Sequence, residues 1–135
     1  MSNQMTKTRI AVIGGGNGSA IALEALKQHR DIFDISAVIS MSDSGGSSGR
    51  LRQEFNTLPP GDILRAILSL SLYDYSILRK IFYGNRFSSA GKLADHNLGN
   101  IFLTLASEYA GDFMSAVRAL EESVGAVGHV YPTTL

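Results

Sequence analysis

Arg9 to Ile13 (RIAVI) run straight into Gly14, Gly15 and Gly16, and a second apolar run, Ile35 to Ile39 (ISAVI), follows an alanine- and leucine-rich segment. No other feature of the chain restricts its fold as much. A short apolar run that ends in glycines reads as a buried strand closed by a tight turn. Between the runs, Ile21, Ala22, Ala25, Leu26 and His29 fall at helical spacing and predict a helix with that face inward. Asp31 to Asp34 read as a turn. Strand, helix and strand in so short a stretch make a βαβ unit, with parallel strands.

The pattern continues. Leu51 to Phe55 predict a short helix, and Pro59-Pro60-Gly61-Asp62 a stop followed by a new start. Ile63, Leu64, Ile67, Leu68 and Leu70 form a broad apolar helix face. Ile77, Leu78, Ile81 and Phe82 predict another helix, closed by Gly84, and Asn85 to Lys92 a surface loop. Leu98, Ile101, Phe102, Leu105 and Tyr109 are spaced as a core-facing stripe. Phe113, Val117, Leu120 and Val124 repeat it after Gly111-Asp112, and Gly125 marks the helix end. Ala126 to Tyr131 read as a third strand. The fold class is therefore α/β: a Rossmann-like parallel sheet with helices on both faces. Three strands are few for such a sheet. The reading expects a single domain cut short after its third strand, with residues 1–135 as its N-terminal portion.

Charge narrows the function. The chain carries 12 basic and 12 acidic residues, a formal net charge of +0. That balance leaves no footprint for nucleic acid and no polybasic membrane patch. There are no cysteines, so disulfides, thiolate metal sites and cysteine nucleophiles are excluded. No apolar run nears the roughly 20 residues of a membrane span, and the N-terminus lacks a signal-peptide pattern. The expectation is a cytoplasmic chain with neither nucleic-acid nor membrane partner; a homo-oligomer stays open.

Two loops carry the chemistry. Gly14, Gly15, Gly16, Asn17 and Gly18 lie between strand and helix, where glycine lets the backbone turn and a ligand approach, and where a helix start offers N–H groups to an anion. Gly14 and Gly16 match the dinucleotide fingerprint, but Ser19 stands at its third glycine, and the P-loop lysine is absent. The second loop, SDSGGSSGRLR, begins at Ser42. It leaves the carboxyl end of the second strand, where open α/β sheets bind ligands, and strand adjacency sets it beside the first. Asp43 suits a metal ion or a sugar hydroxyl. Gly45 and Gly46 free backbone amides, Ser44 and Ser47 are short donors, and Arg50 counters phosphate charge. Asp62 reads equally as a helix cap or as a member of the site. His96, Asn97 and Asn100 form a polar cluster before a helix, with Asn97 as its cap; His96 has no partner histidine at zinc spacing. His29 and His129 read as surface or helix-end residues.

IGGGNG, SDSGGSSGRLR, LPPGDILRAI, DHNLGNIFL and GDFMSAV, in this order, resemble the CofD-like family from about Arg9 onward, and within it the YvcK-type branch, the gluconeogenesis factors. The resemblance implies a Rossmann-like fold in a protein more than twice this long. It implies UDP-sugar binding, with links to carbon metabolism, cell-wall precursor supply and cell shape. For the CofD branch it implies a magnesium-dependent transfer of a phospholactyl-type group from a guanylyl donor to a deazaflavin alcohol. The positions that match are Gly14 to Gly18, Asp43, Asp62, His96, Asn97 and Asn100. Asn17 stands where threonine is usual, Asp95 where glycine is, and Ser44 where a second aspartate often lies, which weakens a two-acid magnesium site.

Three functions compete. In the first, a nucleotide-sugar-binding regulator, the glycine loop and Arg50 hold the diphosphate. In the second, a CofD-like phosphotransferase, Asp43, with Asp62, holds magnesium. The third is an NAD-binding Rossmann domain, disfavoured by Ser19 and by the long Ser/Gly loop.

Overall fold

The computed structural model describes residues 5–41, 61–88, 91, 93–94 and 96–134. Strand β1 (Thr8–Gly14) leads into helix α1 (Gly16–Lys27) and returns as β2 (Phe33–Ile39). Helices α2 (Gly61–Ser69) and α3 (Tyr75–Leu78) follow, and α3 continues as a π-helical segment, Arg79–Gly84. Then come α4 (Leu98–Ala110), α5 (Phe113–Ser123) and β3 (Gly128–Pro132). The strands are parallel and ordered β1-β2-β3, with Ile10 opposite Ile35 and Ile35 opposite Gly128.

That order decides where the helices go. Crossovers between parallel strands are right-handed, so a chain that steps β1, β2, β3 in one direction lays its helices on one face. Ile35, Ala37, Ile39 and Val130 are buried on that face against Leu23, Ile63, Ile67, Val117 and Leu120. Each of these side chains other than Ala37 contributes roughly 1.5–3 kcal/mol of transfer free energy. The second face carries Ala11, Ile13 and Tyr131 and is open among the described residues; Ile13 is 77% exposed. No described helix is long and apolar enough to cross a membrane.

Local signals set the helix ends. Asp74 accepts from the Ser76 and Ile77 amides, and Asp112 from the Ser115 amide. The Ser76 and Ser115 hydroxyls also donate to these carboxylates and hold both below the usual aspartate range. Gly111 and Gly125 take left-handed φ of 86° and 60° at the ends of α4 and α5.

Two helix faces differ from the sequence expectation. On α1 the buried residues are Ser19, Ala20, Leu23 and Lys27, while Ile21 is 67% exposed. Ala20 to Leu26 are apolar on nearly every side, so spacing alone does not fix the face; Leu23 fills the core and sets it. On α4 the inward face is Gly99, Asn100, Leu103 and Thr104, and Leu98, Leu105 and Tyr109 point out. Here close packing rotates the helix, because Gly99 sits directly against Leu64: a Cβ on Gly99 would come within 2.4 Å of its methyl. The expected helix over Leu51 to Phe55 lies outside the described residues.

Candidate functional site at the carboxyl rim of the sheet

Both first strands end at one rim, and the Ser40 amide donates to the Gly14 carbonyl at 2.8 Å, tying the two exits together. The chain then turns through Gly15 and Gly16 into α1. Gly16 has φ 67°, a left-handed conformation that favours glycine. Gly15 is extended and is the N-cap of α1, and among the described residues no side chain caps that end. The first-turn amides of α1 thus keep their capacity to bind an anion. Asn17 and Gly18 are exposed on that first turn.

Helix α2 closes the turn from the other side. Asp62 lies in its first turn, and its Oδ2 is 3.3 Å from where a Gly15 Cβ would be. Arg65, one turn on, places Nη1 3.9 Å from the Cβ position of Gly16 and 3.6 Å from Asp62 Oδ1. Its Nη2 donates to the Tyr83 hydroxyl, and its Cζ lies 4.9 Å from the Tyr83 ring centroid. Sequence reasoning missed Arg65 and Tyr83. The available signal was a lone arginine inside the apolar run ILRAIL.

The structure places Gly14, Gly15 and Gly16 in one turn with Asp62, which the sequence left between helix cap and site, beside it. Asp43, Ser44, Gly45, Gly46, Ser47 and Arg50 lie outside the described residues; the segment that holds them leaves from Met41 and returns at Gly61, both next to this turn. His96, Asn97 and Asn100 are 1%, 1% and 2% exposed, inside the fold and not on an open rim. Asn97 caps α4 by accepting from the Asn100 amide at 2.8 Å. Asn97 Nδ2 and Thr104 Oγ1 are buried with no hydrogen-bond partner among the described residues. This cluster reaches the turn through Gly99 and Leu64, the neighbour of Arg65. Among the described residues no three His, Cys, Asp or Glu side chains gather as metal ligands.

A cleft of about 490 Å³ lies at the other end of α1, lined by Glu24, Lys27, Tyr73 and Asp74. Burial lowers the Lys27 pKa, and the Lys27 amine donates to the Ser71 carbonyl at 2.8 Å. That amine clasps backbone, and it sits away from the carboxyl ends of the strands, where α/β sheets bind ligands.

An open parallel sheet with a glycine turn at its carboxyl rim, an uncapped helix start and an Asp–Arg pair against it defines a Rossmann-like α/β protein. A family model described as 2-phospho-L-lactate transferase CofD matches residues 10–135. The chain belongs to the CofD family. It is 39% identical over 126 residues to the gluconeogenesis factor of Bacillus subtilis strain 168, covering 93% of this chain and 38% of that protein. It is 38% identical over 129 residues to the gluconeogenesis factor of Listeria monocytogenes, covering 96% and 39%. The crystal structure of protein BH3568 from Bacillus halodurans matches with a TM-score of 0.84 at 34% identity, over 94% of this chain and 40% of that one. The chain thus spans well under half the length of these relatives.

Proposed function

We propose that this chain supplies the phosphate-facing rim of a cytoplasmic, nucleotide-sugar-binding regulator of the gluconeogenesis-factor type, with residues 1–135 as the first part of a single CofD-like domain. The observation that carries the reading is the Gly14–Gly16 turn into the start of α1, at the carboxyl ends of two adjacent parallel strands. In this reading the amides at Gly15, Gly16 and Asn17 hold the diphosphate of a UDP-sugar. Gly45, Gly46 and Arg50 complete the seat from the second loop. Asp43 binds a sugar or ribose hydroxyl, and His96, Asn97 and Asn100 shape the wall behind α2.

The test is calorimetric titration of the full-length protein with UDP-sugars, GDP and NADH, with and without magnesium. UDP-sugar binding without turnover supports the reading. NADH displacing UDP-sugar, with no heat from UDP-sugar itself, would restore the dehydrogenase alternative. The family model's description, a 2-phospho-L-lactate transferase, favours a second reading, phosphotransfer, for which the resemblance implies a guanylyl donor and a deazaflavin alcohol. Magnesium would then rest on Asp62 and Asp43. Among the described residues no three carboxylate or imidazole side chains gather around Asp62, so they do not by themselves fit a magnesium site. Steady product in that transfer assay would overturn the binding-only reading.

Gly15→Ala separates ligand from fold. The backbone at Gly15 has φ −169°, which alanine adopts freely, so the change in stability is expected to stay within about 0.5 kcal/mol. The new methyl would stand 3.3 Å from Asp62 Oδ2, inside the proposed seat. UDP-sugar affinity is expected to fall roughly tenfold, about 1.4 kcal/mol. Unchanged affinity in a normally folded variant would move the diphosphate elsewhere.

A further inference from the structure

Arg65 is the one charged residue in the run from Ile63 to Leu68, whose other members are buried. A guanidinium in such a run ordinarily extends to solvent along its apolar stem. Here its side chain is only 18% exposed and is held in place twice. Tyr83 accepts a hydrogen bond from Nη2 and lays its ring near Cζ, at 4.9 Å from the centroid. Tyr83 itself comes from the π-helical segment Arg79–Gly84, whose wider turn redirects side chains relative to an α-helix and which is a common mark of functional sites.

The pairing with Asp62 is loose. Nη1 to Oδ1 is 3.6 Å, well beyond the roughly 2.7–2.9 Å of a charge-assisted hydrogen bond. A guanidinium has five N–H donors in a planar fork, so most remain available. The same Nη1 lies 3.9 Å from the Cβ position of Gly16, on the side where glycine leaves room.

We propose that Arg65 grips the phosphate oxygens of the ligand at the Gly15–Gly16 turn, with Tyr83 as its positioning residue and Asp62 as the carboxylate the ligand must displace. The inference rests on the reading of that turn as a diphosphate seat. It adds the cation that faces the seat and a carboxylate whose charge opposes the ligand.

The test titrates the full-length protein with inorganic pyrophosphate, a UDP-sugar and uridine. Arg65→Ala is expected to weaken pyrophosphate and UDP-sugar roughly tenfold or more, and to flatten their salt dependence. Arg65→Lys recovers only part of the loss, because an ammonium lacks the fork. Tyr83→Phe costs less than Arg65→Ala, and Asp62→Asn tightens both anions. Uridine, which has no phosphate, is unaffected throughout. If Arg65→Ala does not fold, Arg65→Lys and Tyr83→Phe carry the test, since they keep the packing.

A folded Arg65 variant with wild-type affinity for both anions overturns the proposal, and weaker binding by Asp62→Asn overturns the part given to Asp62. Wild-type protein that binds pyrophosphate through Arg65 but no UDP-sugar defeats the nucleotide-sugar reading and leaves Arg65 standing. UDP-sugar binding indifferent to Arg65 does the reverse. Wild-type protein that binds neither anion removes both.

Discussion

Gly128→Ala is expected to be the most damaging single-methyl change in the described fold. Gly128 opens β3 and pairs in register with Ile35 of the central strand. A Cβ there would lie 2.4 Å from the Ile35 carbonyl oxygen and 3.2 Å from its carbon. Those are backbone atoms, so no side chain can swing aside. The strand must move away from β2, and the pairs from Ser36–His129 to Ile39–Pro132 are disturbed with it. Overpacking of this kind costs about 3 kcal/mol. Urea unfolding of wild type and variant, with equal m-values, measures it directly. A midpoint matching wild type would mean that β3 slides freely against β2, and the parallel register would lose its support.

That clash also shows what a sequence conceals. The βαβ unit was legible because RIAVI and ISAVI are apolar runs of strand length with glycines between them and a helix. Gly111-Asp112 and Gly125 marked helix ends because left-handed φ and side-chain caps are local chemistry. The faces of α1 and α4 were not legible. Ala20 to Leu26 carry a single polar residue, Glu24, too little to fix a face, and α4 turns Asn100 and Thr104 inward while Leu105 and Tyr109 stay out. A rule that puts apolar residues inside cannot find that orientation. It follows from Gly99 meeting Leu64, a contact between residues distant in sequence.

The candidate site divides in the same way. The glycine turn was readable from spacing, and the exit of β2 beside it from strand order; the second loop itself lies outside the described residues. Asp62 was left between cap and site. The structure puts it inside the first turn of α2 and against Gly15, which only the packing of α2 beside the turn decides. Arg65 was overlooked because an aspartate and an arginine three apart on a helix usually form a solvated pair. What distinguishes this pair is Tyr83, which comes from a different element.

Glu121→Ala is expected to have the second large effect, on the outer side of the same strand β3. Glu121 is 4% exposed on α5, which lays it against the outer edge of β3. Its Oε1 accepts from the Val130 amide at 2.7 Å, and Arg118 Nη1 lies 2.7 Å from each of its carboxylate oxygens. His129 Nδ1 is 3.0 Å from Oε2. Val130 is fully buried, so its amide has no water to turn to once the carboxylate is gone. An orphaned buried donor together with a broken ion pair costs about 2–4 kcal/mol. Glu121→Gln keeps an oxygen for Val130 but loses the charge facing Arg118, and should cost about half as much. Urea midpoints are expected in the order wild type, Gln, Ala, with hydrogen exchange at Val130 fastest in Ala. An Ala variant within about 0.5 kcal/mol of wild type would show that the carboxylate is not the partner that matters. The stakes concern the direction in which the sheet grows. A side chain bonded to a strand's outer amide blunts that edge against further pairing. With β3 closed in this way, the open edge among the described strands is β1's, and β1 ends in the glycine turn. A strand added there from the far side would make that turn the point where strand order reverses, which is where sheets of this class bind their ligands.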